Sequence, residues 1–419
     1  MFAMTSGVTL KVGYTHWVPH EKEMFIPGTK VATPGPEQVF ETEHGVVTVE
    51  GGKTVEHIID LCALEGVDDI CTLSNIDDAS VLHSLRVRYN NDKIYTYISC
   101  MLVAVNPFKP IKSYGGDQIS LYKGTQDTAS LPPHVFGVSA HAFMRLSGHE
   151  MNQAVLISGE SGAGKTENTK YVLLYFSEIL KSDSGLAELL LRINPMLEAF
   201  GNAKTARNDN SSRFGKWIEV GVAPSRMLIT GASVTDYLLE VTRVCTQGPG
   251  DRNYHVFYQL CTPEARKAFP SLHMNSAADF DYLRKNPVNI PHIDDSSCFQ
   301  QLREAFTALK VSAEEETEIF HIVSGILHIG NVEFAEHGVE ASKVANTNVL
   351  NLAASILQID SSDELEKVMC NKRRVTGREV IQSTLDPRKA RNARDALAKL
   401  VYEGVFQLIV ARCNEALGA

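Results

Sequence analysis

Gly159-Glu160-Ser161-Gly162-Ala163-Gly164-Lys165-Thr166 matches the pattern GxxxxGK[ST] at every specified position. Glycines let the backbone turn tightly, so that successive N–H groups face inward toward phosphate oxygens. Lys165 adds a point charge toward the β- and γ-phosphates of a nucleotide, and the Thr166 hydroxyl is suited to hold Mg²⁺. The apolar run Ala154-Val155-Leu156-Ile157 before the turn predicts a buried strand. Apolar positions at Tyr171, Val172, Leu174, Tyr175 and Ile179 predict a helix after it, with its N-terminus presented to the anion. Strand, glycine turn and helix together predict an α/β fold built around a phosphate-binding loop.

Working outward, residues from about 10 to 60 read as short β segments, among them Gly45-Val46-Val47-Thr48-Val49 running into Gly51-Gly52. A small N-terminal β-barrel or sheet module over 1–60 is expected. Tyr95-Thr96-Tyr97-Ile98 and Met101-Leu102-Val103-Ala104-Val105 also read as strands, within a nucleotide-binding core assigned to 61–240. Past about 255 the periodicity turns helical, and 241–419 is expected to form a mainly helical lobe. Two stripes, Ile319/Ile322/Val323/Ile326/Leu327 and Leu397/Leu400/Val401/Val405/Leu408/Ile409, are expected to pack in its core. The polar stretch 181–185 is expected to be a surface loop.

The 419 residues suffice for more than one lobe, and 44% hydrophobic with 21% charged residues is ordinary for a globular protein. A net charge of −10 argues against a general nucleic-acid binder. No run approaches the roughly 20 apolar residues of a membrane helix, so no transmembrane segment is expected. The first residues lack the basic leader and apolar run of a secretory signal. The eight cysteines are scattered without CxxC spacing, which suits a reduced, cytoplasmic setting rather than a zinc site or disulfide framework.

About forty residues beyond the loop lies Asn208-Asp209-Asn210-Ser211-Ser212-Arg213-Phe214-Gly215-Lys216. Alone it would be a solvated loop. Beside a phosphate loop it becomes a candidate second wall, because triphosphate hydrolysis needs a second Mg²⁺ hydroxyl, a group to orient water and donors for the moving charge. Asn208, Ser211 and Ser212 suit those tasks. Arg213 could donate to phosphate or pair with a carboxylate to hold the segment closed.

These residues resemble the myosin heavy-chain motor head. GESGAGKT at 159–166 followed by Glu167-Asn168-Thr169-Lys170 is similar to the myosin loop, and 208–216 is similar to its switch I, whereas a kinesin loop would read SSRSH. Trp17-Val18-Pro19 resembles the start of the family's small barrel. Ile94-Tyr95-Thr96-Tyr97 and Val103-Ala104-Val105-Asn106-Pro107-Phe108 resemble the approach to its adenine pocket. Asp251-Arg252-Asn253-Tyr254-His255-Val256-Phe257-Tyr258-Gln259-Leu260, Ile326-Leu327-His328-Ile329-Gly330-Asn331-Val332 and Arg394-Asp395-Ala396-Leu397-Ala398-Lys399-Leu400-Val401-Tyr402 resemble upper-lobe and pre-switch-II signatures.

The resemblance implies a myosin-type, ATP- and Mg²⁺-dependent motor acting on actin filaments, cytoplasmic and cytoskeleton-associated. Lys165 and Asn208 would contact the β- and γ-phosphates, Thr166 and Ser212 would hold Mg²⁺, and Ser211 would sit near the attacking water. Arg213 would pair with a switch II glutamate. Glu160, Ser161, Gly162, Ala163, Gly164 and Glu167 would complete the loop around the phosphates from Gly159 onward. Asn106, Pro107, Lys109 and Tyr114 would border adenine, with Pro110 standing where many relatives carry a basic residue. The basic triplet Lys372-Arg373-Arg374, in a hairpin over 368–383 containing Gly377, would face actin. Glu379 stands where the family carries an acidic or phosphorylatable residue, implying a built-in negative charge.

No DIxGFE-like switch II occurs in the sequence. The chain therefore reads as the front of a head with an incomplete central sheet, expected to fold poorly alone, bind nucleotide weakly and hydrolyse it slowly. Light chains and cargo would engage only parts beyond it. The alternative is a non-motor, nucleotide-dependent binding or regulatory module made from this part. A GTPase would need an NKxD-type motif and a small-molecule kinase an arginine-rich lid, and neither is found.

Overall fold

The computed structural model describes residues 13–31, 37–49, 55–57, 62–125, 130–149, 151–180, 186–223, 225, 228–286, 290–291, 293–376 and 379–418. The loop at 181–185, Gly51-Gly52 and Gly377 lie outside the described residues, as does the chain before Gly13. Two compact units form, one of Met1–Gly159 with Ala163–Tyr175, the other of Glu160–Gly162 with Phe176–Ala419.

In the first unit, β1 (His16–His20), β2 (Met24–Val31), β3 (Gln38–Thr42), β4 (Gly45–Val49) and β5 (Glu56–His57) form one antiparallel sheet in the order β4-β3-β2-β1-β5. Val18, Ile26, Phe40 and Val49 make its own small core. The expected barrel is not closed. Among the described residues β5 contributes only two pairs to β1, His16 with His57 and Trp17 with Glu56, and such a short edge strand cannot reach round to β4. Trp17 is fully buried, donates its indole N–H to Ser80 Oγ at 3.1 Å, and packs with Ala63, Leu64, Ile70, Leu73 and Ala79. This cluster joins the sheet to helices α1 (Cys62–Glu65) and α2 (Asp78–Asn90). Asp77 caps α2 by accepting from Ser80 N at 2.7 Å, satisfying one orphan donor of the first turn. The hairpin β6 (Tyr95–Ile98) and β7 (Met101–Ala104), then α3 (Gly116–Tyr122), α4 (Val135–His149) and the first part of α5 (Lys165–Ile179), complete the unit.

The second unit begins its long stretch with the end of α5 and α6 (Leu186–Gly201). Pro195 inside α6 cannot donate to Leu191 O. Asn194 Nδ2 supplies that carbonyl instead, at 3.1 Å. Strands β8 (Asn202–Thr205) and β9 (Asn208–Ser212) pair next, followed by β10 (Gly215–Ala223) and β11 (Leu228–Tyr237). Helices α7 (His255–Leu260), α8 (Pro263–Ala268), α9 (Asp295–Ala308) and α10 (Ala313–Gly330) lead to hairpin β12 (Phe334–Glu336) and β13 (Ser342–Val344). Then come α11 (Thr347–Ile356), α12 (Ser362–Cys370), hairpin β14 (Asn371–Thr376) and β15 (Glu379–Thr384), and α13 (Pro387–Leu417).

Two expectations need revision. A partly built central sheet was expected, but among the described residues every strand outside β1–β5 pairs with one other strand, with single bridges from Tyr97 to Asp69 and from Ala203 to Tyr254 besides. Short antiparallel hairpins satisfy their backbone groups locally, whereas parallel strands need long crossovers and a shared sheet. The run 154–157 is not part of any ladder, and Leu156 is 90% exposed. Apolar β-branched composition favours extended backbone, but a strand exists only through its hydrogen-bonded partner.

Helix α13 spans 31 residues, about 46 Å at 1.5 Å per residue. Asp386 caps it by accepting from Lys389 N, Pro387 occupies its first turn, and Gly418 ends it with φ +76. Its buried face runs through Ala390, Arg394, Ala398, Tyr402, Val405, Phe406, Ile409, Val410, Cys413 and Leu417. Leu400, expected in that stripe, is 67% exposed instead. It lies about half a turn from Ala398 and Tyr402, the positions that carry the face. Buried Arg394 donates to Gly330 O and Val332 O at 2.8 and 2.9 Å, tying α13 to the end of α10. Tyr402 stacks on Tyr254 and donates to Phe200 O at 2.8 Å. Asn414 brackets the backbone of Val234, accepting from its N at 2.7 Å and donating to its O at 2.9 Å.

Candidate nucleotide site

The loop at 159–166 has the backbone its glycines were expected to permit. Gly162 and Gly164 take φ of +85 and +92, a region that side chains disfavour. In the first unit α5 begins at Lys165. The Lys165 ammonium donates to Gly159 O at 2.7 Å, which folds it back over the turn. Thr166 follows in the first turn, half-buried, with Glu167 exposed and paired to Lys170 at 3.0 Å. Helix N-terminus, lysine and hydroxyl suit a phosphate with a hard cation, which prefers oxygen donors.

Tyr114 is half-buried in the same unit and stacks face to face on Tyr171, with ring centroids 3.6 Å apart and planes within 1°. Its hydroxyl lies 3.0 Å from that of Tyr95, whose hydroxyl also donates to Asn168 Oδ1 at 2.9 Å. Burial raises the Tyr114 and Tyr95 phenols, Tyr95 more strongly, so both stay protonated donors. His134 packs against both rings, and burial pushes its pKa down to about 4, leaving it neutral. Asn106 Oδ1 accepts from Phe108 N at 3.0 Å, and Pro107 O accepts from Tyr89 Oη at 3.3 Å, fixing that turn. Lys109 is half-exposed and ion-paired with Asp92.

In the second unit, Glu160, Ser161 and Gly162 meet the polar strand β9. The Ser161 and Ser211 hydroxyls lie 2.9 Å apart. A Cβ on Gly162 would approach Asn208 Cβ to 3.7 Å, and Glu160 faces Arg207 at 3.9 Å. Asn208 accepts from Asn210 N with its own side chain, and Ser212 donates to Phe214 O at 3.2 Å. Ser211 is buried and also accepts from Arg213 Nη1 at 3.1 Å. Behind the strand, Asn210 accepts from Asn202 and donates to Glu198, and buried His255 lies 3.1 Å from its Oδ1.

Arg213, expected to await a glutamate of switch II, is bonded here to Glu240 at 2.7 Å. Glu240 also takes Arg243 at 2.7 Å, and Arg243 reaches Asp251 at 3.1 Å. Burial lifts the Glu240 carboxyl, but the bonds and charges of Arg213 and Arg243 overcome it and leave its pKa lowered. Glu240 carried no motif to announce this role. Asn168 and Tyr171 were likewise given no role, although they stand three apart on one helix and so share a face, and Tyr95 was named only within the approach to the adenine pocket. No helix among the described residues is long and apolar enough to cross a membrane, and no metal-ligating cluster of His, Cys, Asp or Glu occurs among them.

A glycine turn with left-handed torsions thus opens a helix through Lys165-Thr166. Comparison with known proteins goes further. The chain belongs to the myosin head (motor domain) family, whose model matches residues 67–419. It is 36% identical to unconventional myosin-VI of Bos taurus over 95% of this chain and 34% of that protein. It is 37% identical to unconventional myosin-Va of Gallus gallus over 94% of this chain and 23% of that one. With Myosin-13 of Arabidopsis thaliana it shares 37% identity over 98% and 28%. The chain thus spans about a quarter to a third of these relatives.

Proposed function

We propose that the chain binds ATP with Mg²⁺ and serves as nucleotide-handling part of an actin-based motor head, with the ATPase activity of its family. The observation that carries the reading is the turn at 159–166, with Gly162 and Gly164 in left-handed conformation and the Lys165 ammonium over it. Backbone amides from Gly159 to Thr166, with Glu160, Ser161, Ala163 and Glu167 in the frame, surround the phosphates. Lys165 and Asn208 neutralise and orient the terminal phosphates, and Thr166 and Ser212 hold the Mg²⁺ that screens their charge. Ser211 orients water, with Arg213 held beside it by Glu240. Asn106, Pro107 and Tyr114 border the base. Lys109 has a weaker claim because Asp92 engages it.

Lys372 and Arg373 are exposed on β14 beside a cleft of about 490 Å³ that Lys389 also lines. Such a basic edge suits the acidic surface of an actin filament. Calorimetric titration with Mg·ATP tests the nucleotide reading. Lys165→Ala removes a charge-assisted contact worth about 1.5–3 kcal/mol, so affinity should fall about 10- to 150-fold. Unchanged affinity would overturn the proposal. Co-sedimentation with actin, weakened by Arg373→Glu and by ATP, tests the partner.

A further inference from the structure

A continuous chain of contacts in the first unit links the phosphate loop to the aromatic wall. Asn168 donates to Gly164 O at 3.0 Å with its side-chain amide. Its Oδ1 receives the Tyr95 hydroxyl, which meets the Tyr114 hydroxyl, and Tyr114 stacks on Tyr171. Asn168 and Tyr171 lie on one face of α5, three residues apart, so the circuit begins and ends on the helix that the loop opens. Tyr114 also meets Phe136, edge-on at 6.3 Å, and His134, tilted at 5.5 Å.

We infer that Tyr171 is a positioning residue for purine recognition. It holds the Tyr114 ring at a fixed plane and distance from the phosphate loop, so that base and triphosphate are bound together as one measured span. The inference rests on the reading of 159–166 as a phosphate loop and of Tyr114 as base wall. Parallel rings at 3.6 Å are at van der Waals contact, so Tyr114 cannot tilt toward α5. Face-to-face stacking is also the arrangement ring quadrupoles favour least. The pair keeps its geometry because Tyr114 is also held by Tyr95, His134 and Phe136, and removing Tyr171 uncovers the ring face that Tyr171 backs. The stack supplies no contact to phosphate, so its loss acts on the base alone.

The test is calorimetric titration of the full chain with Mg·ATP and, separately, with Mg·tripolyphosphate. Tyr171→Ala should weaken ATP about 2- to 12-fold, the range for having to immobilise one side chain on binding, and leave tripolyphosphate unchanged. Tyr171→Phe keeps the ring and should restore ATP affinity. Tyr171→Leu keeps apolar bulk without the flat face and should behave like alanine, which guards against a misfolded alanine variant. Equal loss for both ligands, or no loss for either, overturns the inference. Tripolyphosphate binding that disappears with Lys165→Ala, while Tyr171 variants bind ATP normally, would sink it and leave the phosphate-loop reading standing. Binding of neither ligand by the parent chain would sink both.

Discussion

Replacing Gly201 with alanine places a methyl group where the fold has no room. An added Cβ would meet Phe214 Cδ1 at 2.5 Å and its Cε1 closer still, with Phe406 Cε2 at 3.1 Å behind. Carbon atoms rest at about 3.5–4.0 Å, so the Phe214 ring must retreat by roughly 1 Å or more. It cannot do so freely, because it packs edge-on against buried Phe406 at 4.9 Å. Overpacking of this kind costs about 1–3 kcal/mol. Gly404 provides an internal reference, since it is exposed on α13 and an added Cβ there meets nothing within 4 Å. Gly404→Ala should stabilise by about 0.5–1 kcal/mol from helix propensity alone. Hydrogen exchange over α6 and α13 peptides should then separate the two variants by about 1.5–4 kcal/mol in opening free energy. Because Arg213 N donates to Gly201 O at 2.8 Å, Gly201→Ala should also loosen the end of β9. Equal protection in the two variants would refute the steric account.

Glu240→Gln should destabilise the second unit by about 1–3 kcal/mol, reduced from a fully buried pair because the carboxylate is partly exposed. The lowered Glu240 pKa means its contribution is complete well above the ordinary value of 4.5 and disappears as pH falls through the depressed one. Urea midpoints of parent and variant should therefore converge as the solution is acidified below about 4.5, and diverge near neutrality. Tyr402→Phe deletes the 2.8 Å bond to Phe200 O in a buried site and should cost about 1–2 kcal/mol in the same denaturation assay.

The parts legible in the sequence are those whose cause is local. GxxxxGKT announced its turn because Gly162 and Gly164 need torsions few residues adopt, and the two apolar runs at 95–98 and 101–104 read as the strands they form. Where the cause lies in a partner far along the chain, pattern was a poor guide. The run 154–157 has strand composition but no ladder, and Leu400 has core composition but stands in solvent. The same limit holds for the site. Asn208, Ser211 and Arg213 were nameable from their chemistry, but nothing in Leu238-Leu239-Glu240 tells that Glu240 will hold Arg213. Tyr171 carried only an inward-facing apolar position, and its stack on Tyr114 depends on contact across 57 residues of sequence.

Helix α13 is fastened near one end by Arg394 and near the other by Asn414. Hydrogen-bonded along its axis, such a rod yields little to compression, so the hairpin that precedes it and the strand that Asn414 clasps cannot shift independently. Asn414, which clasps Val234, stands about three turns of helix beyond the tyrosine that touches the end of α6.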